Sequence, residues 1–205
     1  MLETQKIAAA AVAREPFPYF TVSNVLSAEN LQKVRESFPE ITKAGVFPLD
    51  ELGYSGAFAE LIDDIKSSEL EEVMSQQFGV DLSDKPLMIT VRGQCARRDG
   101  RIHTDSKDKI VTCLLYLNDP WAEDGGRLRL LRNGTDLDDV IAEVPPDGGT
   151  LVAFRRTDNS WHGHKPFEGQ RRYIMFNWVQ SQATLQKNIW RHTISSKLKR
   201  LGLPF

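Results

Sequence analysis

The triplet His103-Thr104-Asp105 and the distant His162 most tightly constrain what this chain can fold into. Residues i and i+2 of an extended segment point the same way, so His103 and Asp105 project together while Thr104 points away. His162 joins them only if the fold brings a second, remote segment alongside the first. Two imidazoles and one carboxylate gathered on one side of a metal ion leave its other side open to small ligands. Alone, His-X-Asp arises often by chance, and a lone histidine is more often a surface or satisfied core residue. The pattern gains weight from the segments around it.

Residues 109–118 are rich in β-branched and apolar types and predict a core strand, ended by Asp119-Pro120. Glu123-Asp124-Gly125-Gly126 signals a turn, and residues 127–131 then alternate polar and apolar. Further strands are predicted at 86–95, 140–144, 150–154 and 172–179. Many short strands separated by Gly, Pro, Asn and Asp argue for a sandwich or jelly roll with supporting helices, and against a parallel α/β sheet. The first 85 residues read as support. Residues 19–22 predict an edge strand, and Ser27 caps a helix running toward Phe38 and stopped by Pro39. A second helical region, 58–78, breaks near Ser67-Ser68. The glycine-bearing loop 41–56 between them reads as a lid. Leu185, Ile189, Ile194, Leu198 and Leu201 share one helix face approximately, so 183–205 predicts a C-terminal amphipathic helix docked on the domain.

At 205 residues the chain suits a single domain burying around 70% of its unfolded surface. A formal charge of −2 and an isoelectric point near 6.1 exert no global pull toward nucleic acid or membrane. The segment from Met1 to Arg14 is a poor signal peptide and too short to span a bilayer. Two cysteines, Cys95 and Cys113, make neither a disulfide framework nor a zinc pattern, and reduced thiols in a cytoplasm are the expectation.

The stretches "RIHTDSKDKIVTCLLYLNDPWAEDGGRLRLL" and "GGTLVAFRRTDNSWHGHKPFEGQRRYIMFNWV" resemble the core of the Fe(II)/2-oxoglutarate-dependent dioxygenases, in their prolyl 4-hydroxylase-like branch. The resemblance covers about residues 86–180 and implies a double-stranded β-helix with the metal between its two sheets. It implies Fe(II), 2-oxoglutarate and O₂ as reaction partners, with ascorbate as reductant, and C–H hydroxylation with release of succinate and CO₂. Alternatives are the same chemistry on a small molecule, sugar or lipid precursor, or a non-enzymatic jelly roll sensing a metal or small acid.

Carried over by position, the resemblance implies His103, Asp105 and His162 as metal ligands. His164 is the rival for the third place, disfavoured because His162 sits in H-x-x-x-P with Pro166 and ten residues before Arg172. Arg172, favoured over its neighbour Arg171 because 172, 174, 176 and 178 share one face, matches the residue that grips the distal carboxylate of 2-oxoglutarate, since a guanidinium pairs with a carboxylate through two parallel bonds. Tyr116 supports the same carboxylate, and Thr112 adds a weaker bond. Trp178, on the face of Arg172, matches an inward aromatic. Relatives carry a tyrosine on the strand before His-X-Asp, whereas this chain offers Arg92 and Gln94. Arg92, Gln94, His164 and Trp178 are therefore the expected substrate-side residues; near Arg92 either a polar or anionic substrate or, equally, an internal carboxylate is expected as partner of the charge.

Overall fold

The computed structural model describes residues 1–183, 185 and 186. Two antiparallel sheets face one another. The larger contains β1 (Tyr19–Val22), β2 (Phe47–Pro48), β3 (Leu87–Cys95), β4 (Lys109–Tyr116), β7 (Leu151–Arg155) and β9 (Gly169–Val179), in the order β1-β7-β4-β9-β3-β2. The smaller contains β5 (Leu128–Leu131), β6 (Val140–Val144) and β8 (His162–Gly163), in the order β6-β5-β8. The fold is mainly β, a jelly roll, as the strand pattern predicts.

The strands alternate side chains between two cores of different character. Val91, Cys113, Leu115, Ile174, Phe176 and Trp178 point from the larger sheet toward the helices. There they meet α2 (Ala28–Glu36), α3 (Gly56–Ile65) and α4 (Ser68–Phe78) through Val34, Phe58, Leu61, Met74 and Phe78. Helix α1 (Thr4–Ala8) adds Ile7 to the same layer. The other side of the sheet sends Leu114, Tyr116, Phe154 and Tyr173 to meet Leu128, Leu130 and Val144 of the smaller sheet.

The local signals for the helices hold. Ser27 Oγ accepts from the Asn30 backbone N–H, and Ser67 Oγ accepts from that of Leu70, so each hydroxyl caps a helix start as its residue type predicts. Gly79, at φ +61°, closes α4 in the left-handed conformation. The segment 41–56 differs from a free lid. Phe47 and Pro48 pair with Val91 and Thr90, Ala44 bridges Gln94, and a 3₁₀ turn (Leu49–Glu51) follows. Ladder bonds to β3 turn this loop into the sheet's edge. The expected C-terminal helix lies almost entirely outside the described residues.

Candidate metal and co-substrate site

His103 lies in no regular strand. It makes an isolated antiparallel bridge with His162, in which each backbone N–H donates to the other residue's carbonyl at 3.0 Å. Direct pairing across a bridge brings the two imidazoles together, with ring centroids 4.3 Å apart. Asp105 follows in the turn before β4, so the same-side projection of 103 and 105 arises from an extended loop. Ligand atoms of His103, Asp105 and His162 all lie within 4.8 Å of one another.

The supports of these three side chains fit a metal. His103 Nδ1 lies 2.8 Å from the Arg101 carbonyl, and His162 Nδ1 lies 3.0 Å from that of Ser160. A carbonyl only accepts, so each Nδ1 carries the proton and each Nε2 keeps its lone pair for a metal. Burial pushes the His162 imidazole down to about 4, against the opposing pull of Asp105, and so keeps it a neutral ligand. For Asp105 burial works the other way. Lys109, His162 and the Thr112 hydroxyl outweigh it and hold the carboxyl well below the usual carboxylate range. Lys109 Nζ reaches Oδ1 at 2.9 Å, and Thr112 Oγ1 donates to Oδ2 at 2.5 Å. Asn177 Nδ2 in turn donates to Thr112 Oγ1 at 2.8 Å, so a relay from β9 orients the carboxylate.

These residues open into a cavity of about 240 Å³ between the sheets. Its far wall carries Arg171, not Arg172. The Arg171 side chain is buried, its Nε donates to the Gly126 carbonyl at 2.8 Å, and its Nη2 donates to the Tyr116 hydroxyl at 3.3 Å. Burial pushes the Tyr116 phenol up to about 12 despite the neighbouring guanidinium, so the hydroxyl keeps its proton. Arg172 points to the helix side instead, with its guanidinium 5.0 Å from the centre of the Phe38 ring. The expectation that Arg172 faces the cavity is therefore corrected: that place is taken by Arg171. Residues 172, 174, 176 and 178 do share a face, but it is the face buried under helices. Trp178 is corrected for the same reason and packs in the helix-side core.

Gln94 is corrected as well. A bulge between Arg92 and Gln94 breaks the alternation of β3 and turns Gln94 into an outer groove with Gln170 and Arg172. Thr112 lines the cavity, but its hydroxyl proton is committed to Asp105, which makes it a support of the carboxylate. Arg92 and His164 do line the cavity. Arg92 Nη1 pairs with Asp99, which also accepts from the Ala96 N–H at 3.0 Å. His164 lies against Gly100, where the backbone runs at φ +87° and a Cβ would collide with the imidazole, so only glycine fits.

Asp99, Lys109 and Asn177 escape a reading of the sequence. One signal for Arg171 is present in it. On β9 the set 172-174-176-178 is dominated by Ile, Phe and Trp, the mark of a face packed on helices, whereas 171-173-175-177 carries the polar groups a site needs.

Residues 93–180 match the sequence model of the 2OG-Fe(II) oxygenase superfamily. Over that stretch the chain is similar to a 2OG-Fe(II) oxygenase domain. It is similar to a Pseudomonas putida prolyl-4-hydroxylase, at 20% identity over 87% of this chain and 97% of that one, with a TM-score of 0.59. A viral collagen prolyl hydroxylase from Paramecium Bursaria Chlorella virus-1, solved as a 2OG complex, is 16% identical over 79% and 96%, with a TM-score of 0.52. HygX from Streptomyces hygroscopicus, with nickel and 2-oxoglutarate bound, is 13% identical over 80% and 82%, with a TM-score of 0.56. At these identities the likeness is one of fold. A comparison with curated proteins by sequence finds none that matches. Among the described residues no helix is long and apolar enough to cross a membrane.

Proposed function

We propose that the chain hydroxylates an unactivated C–H bond, with His103, Asp105 and His162 holding Fe(II) and with Arg171 and Tyr116 holding 2-oxoglutarate. One observation carries the reading: two bridged imidazoles and a buried carboxylate share a cavity with the buried Arg171, whose Nη2 donates to the Tyr116 hydroxyl behind it. When bound, Fe(II) with 2-oxoglutarate supplies the activation of O₂ and the transfer of one oxygen atom to substrate, releasing succinate and CO₂.

The chain's own groups supply geometry. The Ser160 and Arg101 carbonyls hold the imidazoles with Nε2 facing inward. Lys109 and Thr112 fix the Asp105 oxygens and keep the carboxylate ionised. The Arg171 guanidinium offers a fork of donors to a distal carboxylate, and the Tyr116 hydroxyl, which accepts from Arg171 and keeps its own proton free, can donate as well. Leu114, Leu128, Met175 and Val46 line the cavity and exclude water. No side-chain acid or base is needed.

A cytoplasmic location belongs to this reading and is supported by two free, buried thiols, Cys95 and Cys113. So does a substrate other than nucleic acid or membrane lipid, in keeping with the near-neutral charge. The test is anaerobic titration of Fe(II) and 2-oxoglutarate, followed by succinate production on admitting O₂. Failure to bind 2-oxoglutarate in the metal-loaded protein would overturn the assignment.

A further inference from the structure

The charges in the cavity do not balance. Arg92, Lys109 and Arg171 line it on the positive side, and Asp99 and Asp105 on the negative. Both carboxylates are already engaged. Asp105 takes Lys109 and Thr112, and Asp99 takes Arg92, the Ala96 N–H and the Cys95 thiol. Among the described residues, three cations against two anions leave one positive charge. A divalent metal and a dianionic co-substrate add two charges of each sign, so the loaded cavity still carries the excess. An unmatched cation in a recess screened from water is costly, and a bound anion relieves it.

Arg92 is the cation best suited to receive that anion. Its side chain is only 11% exposed, and its buried Nε has no hydrogen-bond partner. Its guanidinium lies 5.7 Å from the centre of the Tyr173 ring, and that of Arg171 lies 5.2 Å from the same centre. The one aromatic ring is thus shared by two cations. Arg171 is tied to Tyr116, while Arg92 belongs to the Asp99-Gly100-His164 side of the cavity.

We propose that the substrate is a small molecule with an aliphatic body and a single carboxylate, and that Arg92 receives that carboxylate and so determines specificity. This rests on the hydroxylase reading and names its substrate class. The reaction balances as in that reading: one atom of O₂ enters the substrate C–H bond, the other enters succinate, and CO₂ leaves. A neutral peptide would leave the excess charge unmet. A phosphate monoester, with nearly two charges at pH 7, would overshoot it.

The test is equilibrium binding by calorimetry, without O₂, to protein loaded with Fe(II) and 2-oxoglutarate. The probes are N-acetyl-L-amino acids with aliphatic side chains, N-acetyl-L-proline among them, each beside its own primary amide. Acid and amide have nearly the same shape and differ by one charge. At least one acid should bind roughly 30-fold or more tightly than its amide, the lower bound for a buried, paired charge. In Arg92→Gln that ratio should fall toward one. Arg92→Lys keeps the Asp99 pair but loses the fork, and should give an intermediate ratio, which covers the case in which the glutamine variant fails to fold. Equal binding of acid and amide throughout, no binding by any acid, or a preference that survives Arg92→Gln overturns the proposal. If 2-oxoglutarate itself does not bind, the hydroxylase reading falls and this one with it. If it binds while the acids show no advantage, only the substrate class is wrong.

Discussion

The two faces of β9 share one backbone and serve different ends. Arg171, Tyr173 and Met175 look into the cavity between the sheets, and Asn177 holds Thr112 at the cavity wall. Ile174, Phe176 and Trp178 look into the core beneath the helices. The first face has polar atoms aimed at a reaction site, and the second has apolar bulk aimed at α2 to α4. Neighbouring positions in sequence therefore belong to chemistry or to stability according to parity alone. Single substitutions should separate the two.

The largest effect is expected at the site itself. Asp105→Ala removes the only carboxylate of the candidate ligand set and leaves Lys109 without its counter-ion. Fe(II) content measured by colorimetric assay should fall to background, and succinate formation should vanish. Retained iron and turnover would remove Asp105 from the site.

On the helix face, Phe176 is 1% exposed, so Phe176→Ala opens a void in the core. A loss of about 3–5 kcal/mol is expected, lowering Tm by roughly 6–20 °C in a chain of this size. The 2-oxoglutarate requirement of the remaining folded protein should not change. A shift in that requirement without a fall in Tm would contradict the division of faces.

On the cavity face, Arg171→Ala removes a charge-assisted fork. The 2-oxoglutarate requirement should rise by roughly 30- to 4000-fold, corresponding to ~2–5 kcal/mol, with iron content retained. Arg172→Ala, one residue along, should change it less than about threefold, since Arg172 meets Phe38 on the other side. Reversal of the two phenotypes would mean that the strand register is shifted by one.

Tyr116→Phe should respond far more mildly than Arg171→Ala. Losing one hydroxyl costs about 1 kcal/mol, roughly a fivefold rise in the 2-oxoglutarate requirement. No rise at all would limit Tyr116 to packing against Arg171 and Tyr173.

Much of this molecule is legible in its sequence. Strands β1, β4, β6 and β7, the Ser27 cap and the helix break at Ser67-Ser68 follow from local patterns. The three candidate metal-binding residues are legible because His-X-Asp and His162 carry the donor chemistry themselves. Where the sequence misleads, it does so by one residue or by one bulge. Arg171 and Arg172 are chemically identical, and only the stacking of helices on one side of the sheet selects which of them faces the cavity. Gln94 and Arg92 share parity, yet a bulge sends them to opposite sides. The segment 41–56 looks like a loop because its ladder partner, β3, lies far away in sequence.

The order of residues is enough to set the alternation of strands and turns, the donor types available to a metal and the excess of apolar bulk on one face of β9. These are local properties, governed by side-chain chemistry and by the two-residue period of an extended chain. Folding in three dimensions is what brings Asp99 to Arg92, Lys109 and Thr112 to Asp105, and Arg171 to Tyr116. Those pairings depend on register, on a bulge and on which sheet face the helices cover. Each is settled by burying the largest apolar surface, and no short stretch of sequence contains that quantity.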